Sequence, residues 1–416
     1  MPGGGSAAAR SARSRWTERH VLALGLGVAG LLLAGAAVAA VSAVLRGGSP
    51  WAAIHLALAG AASVAIGAFM PHFAITLAGT QPRGSLERTA TLLLLALGAA
   101  AVVAGVTLVG GWLAGIGSVA MLAGLVLVAI QTLAPLRNPL ARRHPVVTLT
   151  YGAALVELAA GITLGGLGAV GYGPVLAAWA GMRAAHAWIG LFGAVSLTIF
   201  ATLVYLAPTV LGARIRPTPW LVLGVTGMLV GPPLAAAGFA LSAWAAVMGG
   251  MVVTLAGAVG QIGYVMDAAA RRGRFTSEHD WRRVAVGHLL AGPAWFAAAV
   301  AAALAGIIDT DPAGWSIGVL AIPMIGGWLA QELIGSWTHL APSVTPGTPG
   351  IHARQRRVLA AFSRTRLVAH NAGVGLAWAG IALGQAWLAA IGLALLGASV
   401  VTAVVTLGRA LALARA

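Results

Sequence analysis

The stretch TATLLLLALGAAAVVAGVTLVGGWLAGIGSVAMLAGLVLVAIQTLAPL, Thr89 to Leu136, holds no charged residue and no histidine between Arg88 and Arg137. A helix needs about 20 mostly apolar residues to cross the hydrocarbon core of a bilayer. This stretch is long enough to cross twice, as runs 89–109 and 112–135. The rest of the chain repeats the pattern. Of 416 residues 59% are hydrophobic and 8% charged, against roughly 25% charged in soluble proteins. So few charges cannot cover a water-facing surface, which excludes a soluble enzyme, and so apolar a chain cannot be disordered. The expected fold class is all-α: a polytopic membrane protein, because lipid leaves every backbone polar group to be satisfied inside its own helix.

Ten further runs of the same kind lie at 21–45, 51–78, 146–170, 183–208, 219–241, 244–268, 284–307, 315–339, 367–385 and 387–409. The expected organisation is a basic tail (1–20), a twelve-helix membrane domain (21–411) with one long polar loop (341–366), and a short tail (412–416). The first run follows Arg10, Arg13, Arg15 and Arg19 as a signal peptide would. At about 25 residues it exceeds the roughly 7–15 of a signal core, so it reads as a retained helix.

The net charge of +16 comes from arginine without lysine. The arginines sit in short clusters between apolar runs, which argues against a nucleic-acid footprint and for a topology signal. With the amino terminus inside, Arg83 and Arg88; Arg137, Arg142 and Arg143; Arg214 and Arg216; Arg271, Arg272, Arg274, Arg282 and Arg283; and Arg354, Arg356, Arg357, Arg364 and Arg366 all fall in inner connections. The outer connections keep Arg46, Arg183, Asp309 and Asp311. The expectation is a plasma-membrane protein with both termini cytoplasmic. Trp51, Trp112, Trp179, Trp220, Trp244, Trp281, Trp315 and Trp387 lie near run ends, as an interfacial belt would. Thr218-Pro219 and Asp311-Pro312 read as N-cap and first-turn proline.

No cysteine is present, which removes disulfides and thiolate metal sites. Any metal must rest on other donors, and imidazole is the chief of these. Six histidines lie in or at the ends of runs. His55 and His186 sit about one turn inside the outer face. His72, His288, His339 and His370 lie near the inner ends. His55 and His72 are separated by roughly 25 Å of helix, so one ligand set cannot use both. The plainer alternative for each is a hydrogen bond to water or headgroups; His20, His144, His279 and His352 lie in polar flanks and read as solvated.

Glu157, near the middle of the fifth run, is either a proton-relay group or a neutral interhelical hydrogen bond. Glu332 and His339 are two turns apart on one face and form a polar strip with Gln331 and Ser336, with Glu332 a second relay candidate. Asp267 precedes Arg271 by four residues, the spacing of a local ion pair. Tyr151, Tyr205 and Tyr264 read as packing or interface residues. Gly231-Pro232-Pro233 is the one candidate break in a helix.

The sixth run, His186-Ala-Trp-Ile-Gly-Leu-Phe-Gly-Ala-Val-Ser-Leu-Thr-Ile-Phe-Ala-Thr-Leu-Val-Tyr-Leu-Ala-Pro-Thr-Val-Leu211, resembles a helix of a bacterial membrane family. That family accompanies or is fused to multicopper-oxidase and copper nitrite-reductase-type domains in high-GC Gram-positive bacteria. It is similar to the nitric-oxide-response proteins called NnrS and, distantly, to the heme-copper oxidase catalytic subunit. Trp51 to Thr80, with His55 and His72-Phe73, resembles the family's second helix. Gly327-Trp-Leu-Ala-Gln-Glu-Leu-Ile-Gly335 resembles its tenth, and Asn371-Ala372-Gly373 also fits.

The resemblance implies a heme-copper oxidase subunit I-like bundle with haem b and copper as cofactors. His55 matches the second-helix haem ligand and His186 the sixth-helix copper ligand; His72, His288, His339 and His370 remain a second set of candidates. It also implies a multicopper oxidase or electron-transfer partner besides the lipid bilayer. The chain departs from the oxidases at Gly190, where they carry a crosslinked tyrosine. It has no His-His pair between Pro219 and Trp244, and no His-x-His between Trp315 and Trp328. The oxygen-reducing centre is therefore incomplete. The expected role is electron transfer or the handling of nitric oxide or copper stress; the competing expectation is a proton-coupled transporter with Glu157 as coupling group.

Overall fold

A computed structural model describes residues 5–140, 144–272, 280–308 and 315–414, with side chains from Glu18 onward and none for Asp280. The arginines at 10, 13, 15, 142, 143 and 274, the histidine at 279, Asp309 and the Asp311-Pro312 cap lie outside these descriptions. Among the described residues every regular element is helical.

Twelve rods follow in order: α1 (Gly5–Arg46), α2 (Trp51–Ala78), α3 (Ser85–Val109), α4 (Gly111–Leu136), α5 (Pro145–Ala169), α6 (Trp179–Leu211), α7 (Pro219–Ala240), α8 (Trp244–Ala270), α9 (Asp280–Ile307), α10 (Ile322–Ala330 and Gln331–Val344), α11 (Ser363–Ala382) and α12 (Ala386–Leu413). All but α10 and α11 are long and apolar enough to cross a membrane. The chain is a multi-pass membrane protein by that measure, and the outer rods agree: Leu31, Leu97, Leu108, Val119, Val156 and Val222 stand exposed, as lipid-facing residues do.

The rods form three successive four-helix units. The closest antiparallel pairings are α3 with α4, α7 with α8, and α11 with α12. Each unit then meets the next through α4–α5, α8–α9 and α12–α1, so the ring closes. Small residues make the pairings possible, because packing in lipid rests on close backbone approach. A Cβ on Gly227 of α7 would overlap the backbone of Gly257 on α8.

The second helix of each unit lies at the centre. In α2 and α6 the most apolar stretches are 72% and 78% buried, against 22–56% for the other spans, and α10 is buried along nearly its whole length. A helix that is apolar all round belongs there. Each of the three carries a π-helical segment: Leu56–Ala62, Trp188–Val195 and Ile322–Ala330. Such wide turns are rare and cluster at functional sites. In α2 and α6 a serine follows and returns its hydroxyl five residues back, Ser63 to the Leu58 carbonyl and Ser196 to that of Leu191.

Several expectations need correcting. The tenth helix begins at residue 322 rather than 315, because Trp315 turns inward against Trp188 and Phe239, with centroids 6.0 and 5.3 Å away, instead of joining an interfacial belt. The 341–366 connection is not simply a loop: α10 runs to Val344, and a short helix, Pro349–Leu359, buries Gln355 against the Ala410 carbonyl. Helix α7 passes unbroken through Pro232-Pro233. Thr218 caps α7 as expected, accepting from the Leu221 amide, and Asp267 pairs with Arg271.

Candidate functional site

Three places gather the polar residues, and the histidines divide among them. The first lies where α2 and α6 begin. His55 closes the opening turn of α2; its Nδ1 donates to the Trp51 carbonyl at 2.9 Å and its ring stacks on Trp51 at 3.8 Å. His186 precedes the π segment of α6, and its Nδ1 donates to the Gly161 carbonyl on α5 at 2.8 Å. Gly165, also on α5, leaves room for that ring: a Cβ there would come within 2.8 Å of Cε1. The two imidazoles are almost parallel, at 6°, with centroids 6.2 Å apart. Each Nδ1 is committed to a carbonyl as donor, so each Nε2 keeps its lone pair, the tautomer of a metal-bound histidine.

The second place joins α9, α10 and α11. His288 donates from Nδ1 to Gln331 Oε1 at 3.0 Å, and Asn371 Oδ1 accepts from Gln331 Nε2 (3.2 Å) and Trp295 Nε1 (2.8 Å). His370 lies edge-on to His288, 5.2 Å away. Its nitrogens are both engaged, Nδ1 with Ser399 Oγ at 3.2 Å and Nε2 with the Gly326 carbonyl at 2.8 Å, which leaves none for a metal. His288 Nε2 is buried without a partner. The site is a structural network with one open nitrogen.

The third place is the centre. A cavity of about 80 Å³ is lined by α2, α6 and α10 in matched register: Ala62, Val195 and Leu329; Ala65, Thr198 and Glu332; Ile66, Ile199 and Leu333; Phe69, Thr202 and Ser336; Met70, Leu203 and Trp337; Phe73, Leu206 and Leu340. Glu332 has both carboxyl oxygens buried without a hydrogen-bond partner. Toward the arginine-rich end a wider vestibule of about 510 Å³ continues the register with His72, Tyr205 and His339. There His72 Nδ1 meets Glu18 Oε1 at 3.0 Å, and the same oxygen accepts from Arg88 Nη1 at 3.3 Å. His339 lies beside Trp281, with centroids 5.9 Å apart, and its Nδ1 is buried without a partner.

The four inner histidines therefore do not form one layer. Two line the vestibule and two join the α9–α11 network, because their helices meet different neighbours. The strip on α10 divides likewise: Gln331 turns to His288 and Asn371, Ser336 lines the cavity, and Glu332 borders the cavity while its carboxyl packs against Gly292 of α9. Glu157 on α5 packs against Gly193 in the π segment of α6, with Oε2 buried and unpartnered.

Two residues differ from their sequence reading: Arg88, read as a charge of an inner connection, is only 3% exposed and donates from Nη2 to the Ala68 carbonyl at 2.9 Å, so it is an internal tie. His144 is not merely solvated, since its Nδ1 bonds Tyr205 Oη at 2.8 Å. The carbonyls that orient His55 and His186 had no sequence signal, and the recurring register of the three central helices, offset by 133 and then 134 residues, is carried by position rather than by residue identity.

Among the described residues no group of three or more His, Asp or Glu side chains could hold a metal ion. Neither a protein-family model nor a curated protein matches the chain.

Proposed function

We propose that this is a haem-binding electron-transfer protein of the membrane, in which His55 and His186 would hold the iron of one b-type haem. The observation that carries the reading is their geometry. The rings stand nearly parallel with centroids 6.2 Å apart, and each Nδ1 is held by a backbone carbonyl so that each Nε2 keeps its lone pair. Two imidazoles suffice for haem iron, whose other four ligands come from the porphyrin, but fall short of a copper or zinc site. Haem supplies a one-electron couple when bound. The chain's own residues orient the ligands: the Trp51 and Gly161 carbonyls fix both tautomers and strengthen both Nε2 donors.

The wider setting belongs to the same reading. All twelve rods span the plasma membrane, the arginine-rich end and both termini are cytoplasmic, and the histidine pair lies near the outer face. An electron-transfer partner outside the cell, of the multicopper-oxidase kind that the family resemblance brings, exchanges electrons there. Handling of nitric oxide or copper stress by the NnrS-like, oxidase-like family is its physiological frame.

Detergent-purified protein from haem-replete cells tests the proposal. It should show the visible spectrum of six-coordinate, low-spin haem. His55→Ala and His186→Ala should each convert or abolish that spectrum, while His370→Ala leaves the band positions unchanged. Protein that folds without a Soret band, or a spectrum indifferent to both ligand variants, refutes the reading.

A second reading rests on Glu157, whose unpartnered oxygen faces a π-helical segment in the interior. In a proton-coupled transporter this carboxyl would be the coupling group. Uptake into vesicles, lost in Glu157→Gln and kept in His55→Ala, distinguishes it from the first reading.

A further inference from the structure

The vestibule at the arginine-rich end has the size and lining of a small-molecule site. Such sites run to roughly 300–1,000 Å³ and are mostly apolar, with a few polar groups that fix orientation. This one holds about 510 Å³ between α1, α2, α6 and α10. Leu22, Phe73, Leu77, Leu206, Leu340 and Val344 form its apolar wall.

The charges of the lining do not balance. Glu18 is the only carboxylate in it, and that charge is already used: Oε1 accepts from Arg88 Nη1 at 3.3 Å and from His72 Nδ1 at 3.0 Å. Arg19, the next residue, also lines the vestibule and is half-buried. Among the described residues no hydrogen bond or ion pair holds it, and none of its nitrogens is closed off by neighbouring atoms. Two further guanidiniums add to the positive field. His339 lies beside the Trp281 ring, and Arg282 and Arg356 stand over that ring at 5.1 and 5.5 Å.

The hydroxyls of the lining cannot take the place of Arg19. Thr76, Thr209 and Ser343 donate to carbonyls of their own helices, those of His72, Tyr205 and Leu340. Tyr205 Oη is engaged with His144. The vestibule therefore sets one open guanidinium beside an apolar wall. A cleft with charge of one sign and low-dielectric walls draws in the opposite sign. A guanidinium meets a carboxylate through two parallel hydrogen bonds. One open guanidinium matches one negative charge, whereas a phosphate would find the hydroxyl donors committed.

We propose that the vestibule binds a small carboxylate with an apolar body, its head on Arg19 and its body against Leu22, Phe73 and Leu340. The ligand enters from the arginine-rich side. The proposal does not depend on haem, and its readouts need none.

Calorimetric titration of the full chain in phosphatidylcholine nanodiscs, with empty discs subtracted, tests it. Phenylbutyrate should bind saturably and at least tenfold tighter than the neutral phenylbutanamide or the cationic phenylbutylammonium. Arg19→Gln should remove that preference, and Arg46→Gln, at the other end of α1, should keep it. Because Arg19 holds no partner, Arg19→Gln should unfold at the same denaturant concentration as the parent. Ser343→Trp, built on an exposed residue of the lining, should fill the space and weaken phenylbutyrate at least tenfold. No saturable binding, equal affinity for the three compounds, a preference that survives Arg19→Gln, or an unchanged affinity in Ser343→Trp overturns the proposal.

Native mass spectrometry separates a free carboxylate from a lipid headgroup. The parent and Arg19→Gln should carry the same phospholipids out of the membrane. An anionic phospholipid retained by the parent and lost in Arg19→Gln assigns the site to lipid and overturns the proposal.

Discussion

Removing the Glu18 carboxylate should destabilise the bundle far more than removing an ordinary membrane-interface charge. Its Oε1 lies 3.3 Å from Arg88 Nη1 and 3.0 Å from His72 Nδ1, which ties α1 to α3 and α2. The Arg88 side chain is 3% exposed, and its other recorded hydrogen bond is to the Ala68 carbonyl. In Glu18→Ala the guanidinium stays buried with that one neutral hydrogen-bond acceptor, and the nearby Glu87 carboxylate is its remaining counter-charge. Breaking a buried pair from one side costs about 3–5 kcal/mol. At about 1.4 kcal/mol per tenfold change, the folded-to-unfolded ratio falls by roughly two to three and a half decades.

The exposed pair Arg83–Glu87, 3.2 Å apart, provides the control, and Arg83→Gln should cost at most about 1 kcal/mol. The double variant Glu18→Ala/Arg88→Met removes both charges and leaves an apolar side chain in an apolar slot. It should recover to within about 1 kcal/mol of the parent, because buried ion pairs exchange for apolar residues at little net cost. Reversible unfolding in mixed micelles, titrated with dodecyl sulfate and followed by tryptophan fluorescence, reads all four proteins. If Glu18→Ala loses less than about 1 kcal/mol, or the double variant is as unstable as the single, the account of Arg88 as a buried charge held by Glu18 is wrong.

Other substitutions examine the packing and the networks. Gly227→Leu should separate α7 from α8 and lower the melting temperature, with a cost of about 1–3 kcal/mol or more, whereas Gly152→Leu, where a Cβ meets open space, should not. Gln331→Leu leaves buried partners on His288 and Asn371 unmet, and calorimetry should show a loss of about 1–3 kcal/mol. Thr218→Ala removes the cap that accepts from the Leu221 amide and should cost about 1 kcal/mol, with Thr218→Ser restoring most of it; the same unfolding titration measures both.

Much of the fold was legible because lipid imposes a simple rule on composition. Runs such as 89–109 and 112–135 have no soluble reading, and the structure turns between them at Gly110, whose φ is 132°. What escaped was set by neighbours rather than by spacing. His339 and His370 look alike in sequence, each near an arginine-rich helix end; in space one lies on Trp281 and the other is consumed by Ser399 and Gly326. Trp315 looked like a belt residue because nothing local shows that its ring packs against Trp188 and Phe239. The matching depth of His55 and His186 was readable from topology. The carbonyls that aim them belong to Trp51 and Gly161, and no sequence signal marks a backbone acceptor. The threefold register went unseen because the residues at matched positions differ, as in Ala65, Thr198 and Glu332.

The shared register has a consequence for what the centre can carry. A symmetric assembly of three identical chains would repeat one residue at every level of its axis. Here each level is built from three separate stretches of one sequence, so a single position can change while its two counterparts stay as they are. Ala65, Thr198 and Glu332 share a level in that way, which places one acid where a symmetric assembly would have to place three or none.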